Sequence, residues 1–345
     1  MHVAPREASL RRLQRAPLAE TIYRAAGPPA TRRSKNVTAP RPFADALASH
    51  PLFFEPVPPG ARTPPSRIDE SIAALAALVR SVPRVDAIDI PELVDENHEG
   101  KPRYRSGDLR SYAEEVQVRT GREVVLNKVV AYLDTAGALE RWTHDTVQRG
   151  LKHVVLVGGA SRYIPYPGPG VIDANRSCRP IVRAAGGLVG NVAIPQRTGE
   201  PHRMLSKTRA GAAFFTTQIL FDADQAVEVV RQYDLLCRQA ATPPATVVVS
   251  FAPIADELDV EFVRWLGADI SDAAEQAILE GDEALTAQRS ETRALEVWEN
   301  LIRAAKAEDL TVPLGVNVEQ ISPRHLEQAG HLLRRFAERP PFALG

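Results

Sequence analysis

The chain has 345 residues, 44% of them hydrophobic and 25% charged, so it can bury a substantial core as one large domain or two ordinary ones. No apolar run approaches the roughly 18 residues of a membrane span. Two widely separated cysteines, Cys178 and Cys237, exclude a disulfide framework and offer no zinc pattern, and a reducing cytoplasm is the expected compartment.

The formal net charge of −1 hides an asymmetry: residues 1 to 41 carry nine basic groups against Glu7 and Glu20. An Arg-rich, acid-poor leader fits a transit peptide, a nucleic-acid arm or a misassigned start. We prefer a disordered extension over 1–48, because Pro/Arg-rich termini lack apolar burial. No nucleic-acid partner is expected for the rest.

In chain order, Leu52 to Val57 is a short apolar strand interrupted by Glu55 and closed by Pro58-Pro59-Gly60. A helix follows with Ser66 as its N-cap and Ile68, Ile72, Leu75, Leu78 and Val79 as its buried stripe. Then come a strand from Val85 to Ile90, a polar loop, a helix from about Asp108 to Thr120, and a strand from Val124 to Val130. The alternation continues through helix Ala138 to Arg149, strand His153 to Val157, helix Ile172 to Ala185, strand Leu188 to Ile194, helix Pro201 to Ala210 and strand Phe214 to Phe221. Helix Ala223 to Gln239, strand Thr246 to Phe251, a helical stretch from Leu258 to about Ala307, strand Val312 to Val316 and helix Pro323 to Phe336 complete it.

Eight strands, each followed by a helix, predict a single-domain (β/α)8 TIM barrel over 49–340, with its chemistry at the carboxyl ends of the strands. No GxGxxG follows the first strand, which argues against a dinucleotide-binding open sheet.

The candidate site residues come from those ends. Glu55 is a carboxylate in an apolar strand, so burial there raises its pKa and makes it a proton donor near neutrality; an outward salt bridge is the alternative. Gly158 and Gly159 end a strand without side chains and let a planar ligand approach the backbone. Gln218 sits at the end of the Phe214 strand, with both a donor and an acceptor. Arg197 and Lys207 suit a carboxylate or phosphate tail, or are surface charges. His144, His153 and His202 have no ligand spacing, so no metal is expected.

Two stretches resemble a known family. Phe54-Glu55-Pro56-Val57-Pro58-Pro59 resembles the first strand of methylenetetrahydrofolate reductases, and Lys207 to Asp222 resembles their K-x-x-A-G-A and TQ-hydrophobic-F-D segment. The likeness runs in register from about Leu52 to Phe336 and includes Gly150-Leu151-Lys152-His153 and Phe251-Ala252-Pro253-Ile254. It implies a (β/α)8 barrel that reduces 5,10-methylenetetrahydrofolate to 5-methyltetrahydrofolate with NADH or NADPH, supplying methionine biosynthesis. Glu55 would then be the general acid, Gln218 would contact the pterin or the nicotinamide amide, and Arg197 or Lys207 the substrate tail.

The departures are specific. Where flavin-bearing members have R-G-D after the fourth strand, this chain has Gly158-Gly159-Ala160, and Lys128 stands in place of their flavin-contacting histidine. Ile194-Pro195-Gln196-Arg197 replaces another family motif. These losses argue against FAD. Val130-Ala131-Tyr132-Leu133-Asp134, Val157-Gly158 and Ile194-Pro195-x-Arg197 instead resemble a flavin-independent branch that passes hydride directly from nicotinamide to folate. Asn127, Lys128 and Tyr132 become the candidates for holding the nicotinamide cofactor. The alternatives are a barrel acting on another pterin or a specialised metabolite, with NADPH or a deazaflavin as donor, and a folate-binding protein without catalysis. The helical stretch from Glu275 to Arg289 is a candidate contact for a homo-oligomer.

Overall fold

The computed structural model describes residues 41–96, 100–135, 137–161 and 163–339. The basic leader, apart from Arg41, lies outside the described residues. Short helix α1 (Phe43–Ala48) precedes β1 (Leu52–Glu55), α2 (Pro65–Ser81) and β2 (Ala87–Ile90). An antiparallel pair, β3 (Val94–Glu96) and β4 (Pro102–Tyr104), leads to α3 (Arg110–Thr120). Next come β5 (Glu123–Val129), α4 (Ala138–Gln148), β6 (His153–Val157), α5 (Val171–Ala184), β7 (Val189–Ala193) and α6 (Glu200–Arg209). The remainder is β8 (Phe214–Ile219), α7 (Ala223–Gln239), β9 (Thr246–Phe251), α8 (Glu257–Trp265), α9 (Asp272–Leu279), α10 (Thr286–Ala307), β10 (Leu314–Glu319) and α11 (Leu326–Ala337).

Eight parallel strands close into a barrel in the order β1-β10-β9-β8-β7-β6-β5-β2. The predicted (β/α)8 architecture is therefore the observed one. Its reason is visible in the strands: Val247, Val248 and Val249, or Phe214 and Phe215, are buried on both faces, as a parallel sheet sheathed by helices requires.

Four local differences from the expected elements have physical causes. Helix α2 starts at Pro65 with Pro64 as its N-cap, rather than at a Ser66 cap, because proline's fixed φ suits the first helical turn. The polar loop after β2 contains the β3–β4 pair, whose residues are half-buried or exposed and so carry no hydrophobic alternation. The long helical stretch is three helices, separated near Gly267 and Gly281, both at positive φ. Helix α1 falls inside the stretch assigned to the extension, yet its Phe43 and Leu47 are buried.

Phe43 joins the barrel's inner layer. Its ring lies 5.6 Å from those of Phe53 and Phe214, in one apolar cluster with Ala87, Val125, Val155 and Val248. This layer fills the barrel below its carboxyl-end mouth. No described helix is long and apolar enough to cross a membrane.

Candidate active site

The barrel interior changes character within one pleat. Side chains alternate along a strand, so two residues beyond each inner apolar residue the next inward position is reached. Phe53 gives way to Glu55, Ala87 to Asp89, Val125 to Asn127, Phe214 to Thr216 and Val248 to Ser250. Asn317 is inward too, since it pairs in register with Phe53 and Ser250.

Three carboxyls meet in this polar layer. Glu55 is the register partner of Glu319, and the pairing of Phe54 with Ile88 sets Glu55 beside Asp89. Glu55 Oε2 accepts a hydrogen bond from Asn317 Nδ2 at 2.8 Å, and the same nitrogen donates to Ser250 Oγ at 3.1 Å. Among the described residues, no group of three or more His, Cys, Asp or Glu is arranged to hold a metal ion.

The electrostatics follow from burial. Desolvation raises Glu55 from its ordinary 4.5 to about 7, against the lowering effect of the Asn317 hydrogen bond. That is a preference for the protonated form of roughly 3 kcal/mol. Asp89 is raised well above its ordinary 3.8 too, first by its burial and then by the charge of Glu55. It is wholly inaccessible, and among the described residues neither carboxyl oxygen has a hydrogen-bond partner. Glu319 rises for the same two reasons, against Ser250. An unpaired buried carboxylate neutralises rather than paying full desolvation. All three carboxyls of the mouth are thus shifted toward their protonated forms.

Gln218 stands at the end of β8 beside a register shift between Thr216 and Ile219. Its Nε2 donates to the Leu266 carbonyl at 2.9 Å and its Oε1 accepts from the Ile219 amide at 3.0 Å. Leu266 caps α8, whose Trp265 lies under the Arg105 guanidinium, 5.4 Å from the ring centroid. Arg105 follows β4, in the excursion after β2, and β8 and β2 are four places apart around the barrel in either direction. The end of α8 thus links opposite sides of the mouth.

The other sequence candidates divide. Asn127 is in the polar layer, and its Oδ1 is buried without a partner. Lys128 points to the opposite face of β5 and pairs with Glu92 Oε1 at 2.6 Å. Tyr132 and Tyr166 both donate to Glu96, their rings 5.6 Å apart, so they form an aromatic rim over β5 and β6. Arg197 is half-buried in the loop after β7 and has no side-chain hydrogen bond or ion pair among the described residues.

Three candidates have local structural work instead. A Cβ on Gly159 would lie 2.1 Å from the Tyr166 ring, so that space belongs to the tyrosine, while one on Gly158 would meet Val171 at 3.0 Å. Lys207 does not reach the mouth: its Nζ donates to Val192 O at 2.8 Å and to the fully buried Glu200 at 3.1 Å. Its helix runs down behind β7, which spends the charge in the helix–sheet layer. Lys207→Met should cost up to about 3 kcal/mol, because it leaves the buried Glu200 with only the partly exposed Arg203, 3.7 Å away, as its cationic partner. Urea unfolding of the variant and the wild type checks it.

Sequence reasoning passed over Asp89 and Glu319. Their signal was the one used for Glu55, a carboxylate interrupting an apolar strand, in Ala87-Ile88-Asp89-Ile90 and Val316-Asn317-Val318-Glu319.

The fold and site define a (β/α)8 barrel with a buried carboxyl cluster at its mouth. No family model and no curated protein matches the sequence. Among solved structures, the chain is similar to an uncharacterized protein from Clostridium thermocellum that binds two copies of 5-methyl-5,6,7,8-tetrahydrofolic acid. The TM-score is 0.66 at 16% identity, over 85% of this chain and 97% of that one, a likeness of fold.

Proposed function

We propose that this protein reduces 5,10-methylenetetrahydrofolate to 5-methyltetrahydrofolate with NADH or NADPH, by direct hydride transfer. The observation that carries the reading is Glu55, a carboxyl raised to about 7 at the mouth of the barrel. Its support from outside the chain is the structural neighbour, which binds a 5-methyl reduced folate.

Glu55 gives its proton to one of the two nitrogens bridged by the methylene group. That carbon–nitrogen bond breaks and leaves an iminium on the other nitrogen. The nicotinamide, when bound, supplies the hydride that turns the methylene carbon into a methyl group. Glu55 then regains a proton from solvent, so each turnover consumes one proton. The buried, unpartnered Oδ1 atoms of Asn127 and Asn317 are acceptors suited to the amide of a nicotinamide or the amino group of a pterin. Gln218 would exchange Leu266 for the ligand, and Arg197 would meet the glutamate tail. Direct transfer is preferred to a flavin route because Gly158-Gly159-Ala160 stands where flavin-bearing reductases have R-G-D.

The test is anaerobic oxidation of NADH or NADPH by the purified protein with methylenetetrahydrofolate, alongside its visible spectrum. Turnover without flavin absorbance supports direct transfer, and turnover with a bound flavin replaces it by a two-step route. The engagement of Gln218 with Leu266 favours one competing reading, folate binding without catalysis. Tight folate binding with no nicotinamide oxidation, nor any with another pterin, would establish it.

A further inference from the structure

The lining of the barrel mouth has two unlike halves. Val157 and Val192 pack against the apolar inner cluster, and both stay half-buried where their outward neighbours Leu156 and Asn191 are wholly buried beneath the helices. Val192 pairs in register with the inward Thr216, and Val157 stands two residues beyond the inward Val155 on the same face of β6. Strand β7 lies four places from β1 in either direction around the barrel, and β6 lies four places from β10. The two valines therefore stand on the wall opposite Glu55 and Glu319.

They also stand at the same height. In a (β/α)8 barrel the inward residues of alternate strands share a layer, and the strand tilt makes the level climb about one residue per strand against the register. Following the pairings Phe54–Ile88, Asp89–Val125, Val125–His153 and Val154–Val189 from Glu55 with that climb brings first Asn127 and then Val192 level with it. The same steps taken from Glu319 bring Val157 level with that carboxyl. An acid pair thus faces an aliphatic pair across the mouth.

That geometry sets the order of two flat rings. Glu55 protonates a nitrogen of the pterin, which keeps the pterin on the acid side. Hydride transfer needs the nicotinamide C4 over the methylene carbon, with the reacting atoms about 3–3.5 Å apart. The space left for the nicotinamide lies between the pterin and the valines. A valine wall suits the outer face of that ring, because it offers dispersion contact from side chains that are stiff at χ1. Asn127 borders this space from β5, next to β6, and its buried Oδ1 has no partner among the described residues, so it can accept from the N–H of the ring carboxamide.

We propose that Val157 and Val192 form the wall that positions the nicotinamide ring, holding it against a pterin on the Glu55 side, with Asn127 taking its carboxamide. The inference rests on the reductase reading, which supplies both rings.

Two substitutions act on the wall in opposite ways. Val192→Ala opens a gap behind the ring, and Val192→Phe fills the place of the ring itself. NADH and NADPH are titrated by their own fluorescence and 5-methyltetrahydrofolate by calorimetry, with a thermal melt of each protein. Val192→Phe should weaken the cofactor by roughly tenfold or more, because the space for its ring is taken, and should leave 5-methyltetrahydrofolate affinity unchanged. Val192→Ala should raise the KM for the cofactor and slow hydride transfer in the saturated complex by about tenfold, since a loosely held ring leaves the reactive geometry. With the cofactor deuterated at C4, the primary isotope effect should rise above the wild-type value. Val157→Phe repeats the plug from the neighbouring strand if Val192→Phe does not fold.

Wild-type cofactor affinity in the plug variants overturns the proposal. A loss of 5-methyltetrahydrofolate affinity with the cofactor unaffected gives the wall to the pterin and overturns it likewise, and an equal loss of both ligands makes the valines structural. A wild type that binds neither NADH nor NADPH removes this inference and the reductase reading together. A protein that binds the cofactor against the valines but never reduces folate sinks the reductase reading alone, whereas a reductase indifferent to both plugs sinks this inference alone.

Discussion

Glu55→Gln is expected to lower methylenetetrahydrofolate reduction by about 10²–10⁴-fold, the usual contribution of a positioned general acid, while folate still binds within a few-fold of wild type. Glutamine keeps the shape of a protonated glutamic acid and can still face Asn317, so the variant removes the transferable proton and little else. The wild-type rate should be highest where Glu55 is protonated and fall as pH rises through about 7. The residual activity of Glu55→Gln should lose that inflection. Stopped-flow hydride transfer across pH with both proteins checks the two statements together. An unchanged rate in the variant removes Glu55 as the acid, and an unchanged inflection assigns it to another group.

Much of this site was legible because a strand's period is short. Glu55 stood out as a charge inside Leu52-Phe53-Phe54, and a closed barrel can send such a residue only inward or toward a helix. The count of strands and helices likewise followed from buried valines and phenylalanines separated by amphipathic segments. The failures belong to contacts that join distant parts of the chain. Nothing local to Lys207 indicates Glu200 and Val192 O as its partners, and nothing at Gly158-Gly159 announces the ring of Tyr166. The hydrogen bond of Gln218 to Leu266 depends on a helix 48 residues further on. Asp89 and Glu319 carried a readable signal, but their meaning lies in adjacency to Glu55, which barrel closure creates by bringing β10 beside β1.

Asp89→Asn is expected to stabilise the protein at pH 8 and to do so less at pH 5. The folded-state pKa of Asp89 is raised well above its ordinary 3.8, so between those values the folded protein holds a proton that the unfolded chain has released. Stability from this group is therefore fully present below the unfolded value and is lost as pH rises toward the raised one. Glu55 and Glu319 shift in the same direction, so the wild type should lose stability on going from pH 5 to pH 8. Asparagine matches a protonated aspartic acid in shape, but it has no proton to lose. The substitution should remove the part of the wild type's loss across that interval that Asp89 contributes, leaving a shallower pH dependence. Urea unfolding of both proteins at the two pH values measures it. Parallel curves would mean that Asp89 is ionised and paired in the native state, and the mouth would then be an anionic site rather than a store of protons. Asp89→Ala separates burial from shape: it should lack the same pH dependence yet be less stable than Asp89→Asn at both pH values, because it opens a cavity beside Glu55.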